Sequence, residues 1–208
     1  LTLSLRPNTT WWFALRYRDA SGNVGGTSNV VSLFVEPPPA AAVRLTEINS
    51  DDDIGDAGYE WVEFINRSSF PVDVSRWRVR SSGMSAARNI VPEPGWGDIR
   101  ALPPGAVAVI REAPGTAGDF AVRFGPPSHD RFLGGITGDW ALSNSGGWVR
   151  LVDEWDRVLA ETAYTGAIAD RSVVPVSLEA DPGDAAFWAP GAPGGTPFVA
   201  DVAAPPPS

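Results

Sequence analysis

Short runs of alternating apolar and polar residues, cut again and again by Gly and Pro, constrain this chain more than any other feature. Arg76-Trp77-Arg78-Val79-Arg80, Ala106-Val107-Ala108-Val109 and Trp148-Val149-Arg150-Leu151-Val152 all repeat with period two, the side-chain period of a β-strand. The breaks come from 22 Gly and 20 Pro in 208 residues, and no amphipathic stretch of helical length lies between them. Alternation bounded by turn residues predicts antiparallel strands and an all-β fold.

Two Pro-rich stretches divide the sequence. Glu36-Pro37-Pro38-Pro39-Ala40-Ala41-Ala42 cannot pair in a sheet and reads as a semi-stiff linker. Ala203-Ala204-Pro205-Pro206-Pro207-Ser208 reads as a second one. The expected organisation is a fragment over 1–36, a linker over 37–42, a domain over 43–199 and a linker over 200–208. Thirty-six residues are too few for an independent core. Leu1 opens inside a strand-like pattern, so the chain is expected to belong to a longer polypeptide.

In the first segment, Trp11 to Arg18 reads as one strand with Trp11, Phe13, Leu15 and Tyr17 on a single face. Asp19-Ala20-Ser21-Gly22-Asn23 supplies turn chemistry, and Ser28 to Val35 reads as the returning strand. Leu5-x-Pro7-x-Thr9-x-Trp11 and Asp19-x-x-Gly22-Asn23 resemble the closing strands of a fibronectin type III domain. Trp11 stands in the position of the family's corner tyrosine and lacks its hydroxyl.

The central segment carries an ordered series of motifs: Glu47 at a strand end, Glu60-Trp61-Val62-Glu63, Val72-Asp73-Val74-Ser75-Arg76-Trp77 and Leu102-Pro103-Pro104-Gly105. They continue with Leu142-Ser143-Asn144-Ser145-Gly146, Val149-x-Leu151, Tyr164 and Thr196-Pro197. In this order they resemble the lamin tail domain of nuclear lamins and of many secreted bacterial proteins. The resemblance implies an immunoglobulin-like β-sandwich preceded by a partial fibronectin type III hairpin. Phe198 departs from it, standing where the family usually has Gly, as does a Gly- and Pro-rich insert from Ser81 to Gly97. Trp61 and Trp77 are expected to anchor the space between two sheets. Glu47, Glu60 and Glu63 are not explained by packing alone.

Composition closes off most chemistry. No Cys and a single His129 exclude thiol nucleophiles, thiolate zinc sites, disulfides and two-histidine sites. A Ser-His-Asp triad would need His129, which lies in a loop-like Pro126-Pro127-Ser128-His129-Asp130, and no Gly-x-Ser-x-Gly turn exists. Sixteen basic residues, all Arg, against 25 acidic ones give a net charge of −9, which opposes nucleic-acid binding. No apolar run reaches the length of about 18 residues that spans a bilayer.

The loop Asp51-Asp52-Asp53-Ile54-Gly55-Asp56 is the candidate metal site, with Asp51, Asp53 and Asp56 as Ca²⁺ ligands. EF-hand spacing fails, since Val62 occupies the twelfth position, and a solvated acidic turn is the competing reading. Glu60 and Glu63, three apart on a strand, should face opposite ways unless a bulge intervenes, so a structural role outweighs an acid/base pair. Among nine Trp, Trp96, Trp140 and Trp155, with Trp12, are the candidate ligand platform; core or loop anchoring is the alternative. Arg76, Arg78 and Arg80 form a row for an acidic partner or a solvated strand face. Asn8-Thr9-Thr10 and Asn66-Arg67-Ser68 fit the N-glycosylation pattern.

The expected function is a non-catalytic module of a larger exported bacterial protein, extracellular or at the cell surface, acting in adhesion, protein interaction or spacing. Its partners would be other domains of the same polypeptide and an extracellular protein or glycan, not nucleic acid. The alternative is a carbohydrate-binding module using exposed Trp. No cofactor other than the candidate Ca²⁺ is expected.

Overall fold

The computed structural model describes residues 5, 9–35, 42–50, 60–74, 76–113, 117–126, 128, 131–166, 171–177, 188–193 and 195–199. The candidate Ca²⁺ ligands Asp51, Asp53 and Asp56 lie outside them, as do His129, Asn8, all of the first Pro-rich stretch but Ala42, and the whole of the second. The chain divides into two compact units, Leu1–Pro39 and Ala40–Ser208.

The first unit holds two antiparallel pairs. Strand β1 (Thr9–Phe13) pairs with β4 (Val31–Val35), and β2 (Arg16–Arg18) pairs with β3 (Val24–Thr27). The single strand expected over 11–18 is therefore broken at Ala14-Leu15, where the Leu15 N–H turns to the Ser28 hydroxyl at 2.8 Å. Leu15 and Tyr17 stay 79% and 71% exposed instead of sharing a covered face with Trp11. The Asp19–Asn23 turn does form, with both Asp19 oxygens accepting from Asn23 at 2.8 Å.

The second unit contains two main sheets. One has four strands in the order β13 (Val158–Thr165), β12 (Gly146–Val152), β7 (Arg78–Ser81) and β8 (Arg88–Asn89). The other has seven: β15 (Trp188–Pro193), β14 (Arg171–Pro175), β5 (Val43–Asn49), β6 (Trp61–Asn66), β10 (Val107–Ala113), β11 (Phe132–Thr137) and β9 (Val91–Pro92). The sheets bury one core between them, so the fold is all-β and sandwich-like. Val62, Phe64, Ala108 and Ile110 from the larger sheet meet Val79, Val149, Leu151 and Tyr164 from the smaller. Trp188 of β15 crosses the gap and donates its indole N–H to Thr162 of β13 at 3.0 Å. Ala42, read as linker, is already part of this core.

Among the described residues, sheet pairing departs from the all-antiparallel expectation at one place. Strands β10 and β11 are parallel, which requires a crossover, and helix α1 (Ala117–Phe124) lies within it. Its eight residues are too short for a clear sequence signal, yet Phe120, Ala121 and Phe124 form a stripe against the sheet. The helix stops at Gly125, whose φ is +97°, and Arg131 Nη1 donates to the Phe124 carbonyl at 2.6 Å.

That helix creates a second core on the outer face of the larger sheet. Trp61, Trp96, Val109, Phe120 and Leu133 are buried there, joined by Phe124 and Phe198. Trp77 occupies the inter-sheet space as expected, 6.4 Å from the Phe64 ring. Trp61 does not: adjacent residues of a strand point to opposite faces, and Val62 takes the inner one. The insert from Ser81 to Gly97 is no loose excursion, since Met84, Ile90 and Trp96 are all buried.

Candidate functional site

The three glutamates left unexplained by packing are all buried, and each closes a chain connection. A bulge between Leu45 and Glu47 puts Glu47 opposite Glu63 across β5 and β6. Thr46 and Glu47 then share the outer face with Glu63. Glu63 accepts from the Thr46 hydroxyl at 2.6 Å and from the Phe198 N–H at 2.7 Å. Glu47 accepts from the Thr196 N–H at 3.0 Å, from the Thr196 hydroxyl at 3.1 Å and from the Ser172 hydroxyl. Glu60 accepts from the Leu142 N–H at 2.9 Å, tying β6 to the turn before β12. Glu60 and Glu63 thus reach separate partners. Glu47 and Glu63 do converge, with zero exposure, beneath residues 195–198.

That closing segment depends on backbone geometry. Gly195 has φ +75°, and a Cβ there would lie 2.5 Å from Trp61 Cζ2 and 3.2 Å from Glu47 Oε1. Replacing it with Ala adds left-handed strain to a clash with a fully buried ring. Gly195→Ala is expected to cost about 2–3 kcal/mol, read as a lowered denaturation midpoint. Phe198 is also left-handed, with φ +72°, a conformation that Gly would adopt at less cost. Here the ring compensates for the strain: it stacks on Trp96 at 5.2 Å and lies 5.3 Å from the Arg131 guanidinium. Partly burying the phenyl ring contributes on the order of 1–2 kcal/mol, the same size as the left-handed backbone cost.

Tyr164 holds the turn that Glu60 also holds. Its hydroxyl accepts from the Ser143 N–H at 2.9 Å and donates to the Ser143 carbonyl at 3.1 Å. Burial pushes the phenol up to about 12, against the lowering effect of the Ser143 bond. An unfolded tyrosine ionises near 10, so between about pH 10 and 12 only the unfolded state releases this proton. The stabilisation is therefore complete below pH 10 and is lost as pH rises through 12. Urea unfolding should show a loss of about 2 kcal/mol over that window. With no Lys and no Cys, few other groups obscure it, and Tyr164→Phe should flatten the slope.

Within the second unit, the sequence-selected Trp96, Trp140 and Trp155 sit in three different places. Trp96 is 8% exposed, inside the outer core. Trp140 is half-buried against the inter-sheet core. Trp155 is half-buried at the tip of the β12–β13 hairpin, where its N–H is held by Asp153 at 2.9 Å and the Arg157 guanidinium lies 5.9 Å from its ring. Asn66 has zero exposure, and its amide donates to Phe70 and Leu102 carbonyls at 2.9 Å, so glycosylation of the folded chain is excluded there. Among the described residues, no three His, Asp or Glu side chains gather as a metal-ligand set.

An open site lies on the outer face of the four-stranded sheet. Arg78, Arg80, Ser85, Ala86, Arg150 and Val158 line a groove of about 410 Å³. Arg80 and Arg150 are direct cross-strand partners, a like-charge pairing that costs a few tenths to about 1 kcal/mol. Both guanidinium groups lie over Trp148, at 5.8 and 4.3 Å. Arg150 pairs with Glu161 at 2.9 Å and Arg78 with Asp156 at 2.8 Å. Arg80 has no carboxylate partner among the described residues. Arg76, expected in the same row, precedes β7 and meets Glu154 at 3.6 Å.

Both ends of the groove are fixed. Asp139 accepts from the Ser85 N–H at 2.9 Å and from its hydroxyl, and these bonds, more than Arg88, hold its carboxyl below the usual range. Asp153 accepts from the Trp155 and Arg157 N–H groups, both at 2.9 Å, and pairs with the Arg157 guanidinium at 2.6 Å. Trp148 and Arg150 were not among the sequence candidates. Their signal was the outward register of Trp148-Val149-Arg150 beside Arg78-Val79-Arg80, which becomes a site only once β7 and β12 are known to be neighbours.

No family model matches the chain, and no curated protein shows significant similarity to it.

Proposed function

We propose that the chain is part of a non-catalytic module of a larger exported bacterial protein, acting at the cell surface or outside the cell in adhesion, protein interaction or spacing. In this reading the second unit is a lamin-tail-type, immunoglobulin-like sandwich and the first is the end of a fibronectin type III domain. The observation that supports it is the use of Glu47, Glu60 and Glu63. Their oxygens hold backbone amides and hydroxyls inside the fold, which makes them latches rather than acids or bases. The Arg- and Trp-bearing groove offers a surface for a partner. A second reading, carbohydrate binding, draws on Trp155 at a hairpin tip and on Trp12, which is 55% exposed.

The test is to screen the full chain on protein and glycan arrays alongside ester, glycoside, phosphate and peptide substrates. Retention of a partner without turnover is the expected result. Turnover lost in Glu63→Gln, measured where that variant is folded, would overturn the non-catalytic reading. Glycan binding lost in Trp155→Ala would transfer the assignment to carbohydrate recognition.

A further inference from the structure

Arg80 is the unbalanced charge of the groove. The chain carries 25 acidic against 16 basic residues, yet Arg80 faces Arg150 across the strand pair, lies over the Trp148 ring and has no carboxylate partner among the described residues. A carboxylate arriving from outside would relieve that repulsion. Its partner would also be preset: a guanidinium resting on an indole loses little freedom when it forms two parallel hydrogen bonds to a carboxylate. The rest of the lining is Ser85, Asp156, whose charge Arg78 already meets at 2.8 Å, and the apolar Ala86, Ala87, Val152 and half-exposed Val158.

Size and charge select among anions. A groove of about 410 Å³ is at the small end of ligand sites and has room for a few side chains. A long polyanion would lay most of its charge against a surface whose net charge is −9, and repulsion acts over a screening length of about 8 Å at physiological salt. A single carboxylate set beside an aliphatic or aromatic group meets the arginines while remaining local.

We infer that this groove docks a protein segment presenting Asp or Glu next to an apolar side chain, with Arg80 as its principal contact and Arg150 and Trp148 as its support. The inference rests on the reading of the chain as an interaction module and names the chemistry of the partner.

The test uses the full chain on an array of hexapeptides carrying Asp or Glu beside Leu, Val or Phe, each with its Asn or Gln counterpart. Sulfated glycosaminoglycan oligosaccharides and single-stranded oligonucleotides serve as comparators. Acidic-apolar peptides should be retained, with affinity falling at least tenfold on amidation of the peptide, on Arg80→Gln, and between low and high salt. Arg80→Gln is a surface change and its Tm should stay near that of the parent. Equal peptide binding by parent and Arg80→Gln would overturn the groove assignment and leave the interaction reading standing. Arg80-dependent retention of the glycosaminoglycan or oligonucleotide alone would overturn the peptide as occupant. Retention of no peptide would overturn the inference; failure of the separate protein and glycan screen would remove the interaction reading as well.

Discussion

Glu47→Ala is expected to lower the stability of the second unit by about 3 kcal/mol or more, the cost of leaving three donors of a buried site without their acceptor. The carboxylate collects the Thr196 N–H, the Thr196 hydroxyl and the Ser172 hydroxyl. Truncation leaves those donors facing a cavity next to Trp61, which is fully buried. Each orphaned donor costs about 1–3 kcal/mol, so the sum approaches a typical domain's whole reserve. Glu47→Gln keeps one acceptor oxygen but sets an amide N–H group among donors, and should fall between parent and Ala. Chemical unfolding followed by Trp fluorescence reports the effect, because seven of the nine Trp lie in this unit. If Glu47→Ala shifted the midpoint no further than an ordinary surface change, Glu47 would not be the latch of the C-terminal segment.

This latch also shows where the sequence stops being legible. Period-two runs revealed the strands and the all-β class, and Trp77 could be placed between the sheets because only one of its faces had to be buried. Trp61 and Val62 are adjacent, however, and a plain two-sheet sandwich has no buried outer face to receive the second of them. The receiving layer is built from α1 and the segment 195–198, distant in sequence and individually weak as signals. Glu47 and Glu63 are brought together by a bulge that breaks the alternation at Leu45-Thr46-Glu47, so strand spacing alone could not place them side by side. The groove had the same limitation. Arg78 and Arg80 lie 70 residues and more from Arg150, and only sheet pairing makes them one surface.

The outer core has one further charged element, and it separates two ways of losing stability. Arg111 has no exposed side-chain surface, and its guanidinium meets Glu93 at 3.0 Å, the Glu112 carbonyl at 2.6 Å and the Phe120 ring centroid at 5.5 Å. Burial pulls its pKa down, while Glu93 and then Glu112 act in the opposite direction. Glu93 is 13% exposed and belongs to the turn that carries Trp96, since the Trp96 N–H donates to the Glu93 carbonyl at 3.3 Å. Arg111→Met keeps the volume but strands the Glu93 carboxylate, and should cost about 3 kcal/mol or more. Arg111→Met combined with Glu93→Leu removes both charges from a site already lined by Trp61, Trp96 and Phe120, and should recover most of that loss, because apolar replacement of a buried pair is often neutral or better. The two single variants and the double variant form a cycle whose coupling term isolates the pair. Recovery in the double variant would mean that the outer core is held by its aromatic packing and merely tolerates the ion pair. A double variant as unstable as Arg111→Met alone would show instead that contacts of Arg111 other than Glu93, among them the Glu112 carbonyl and the Phe120 ring, carry the stabilisation.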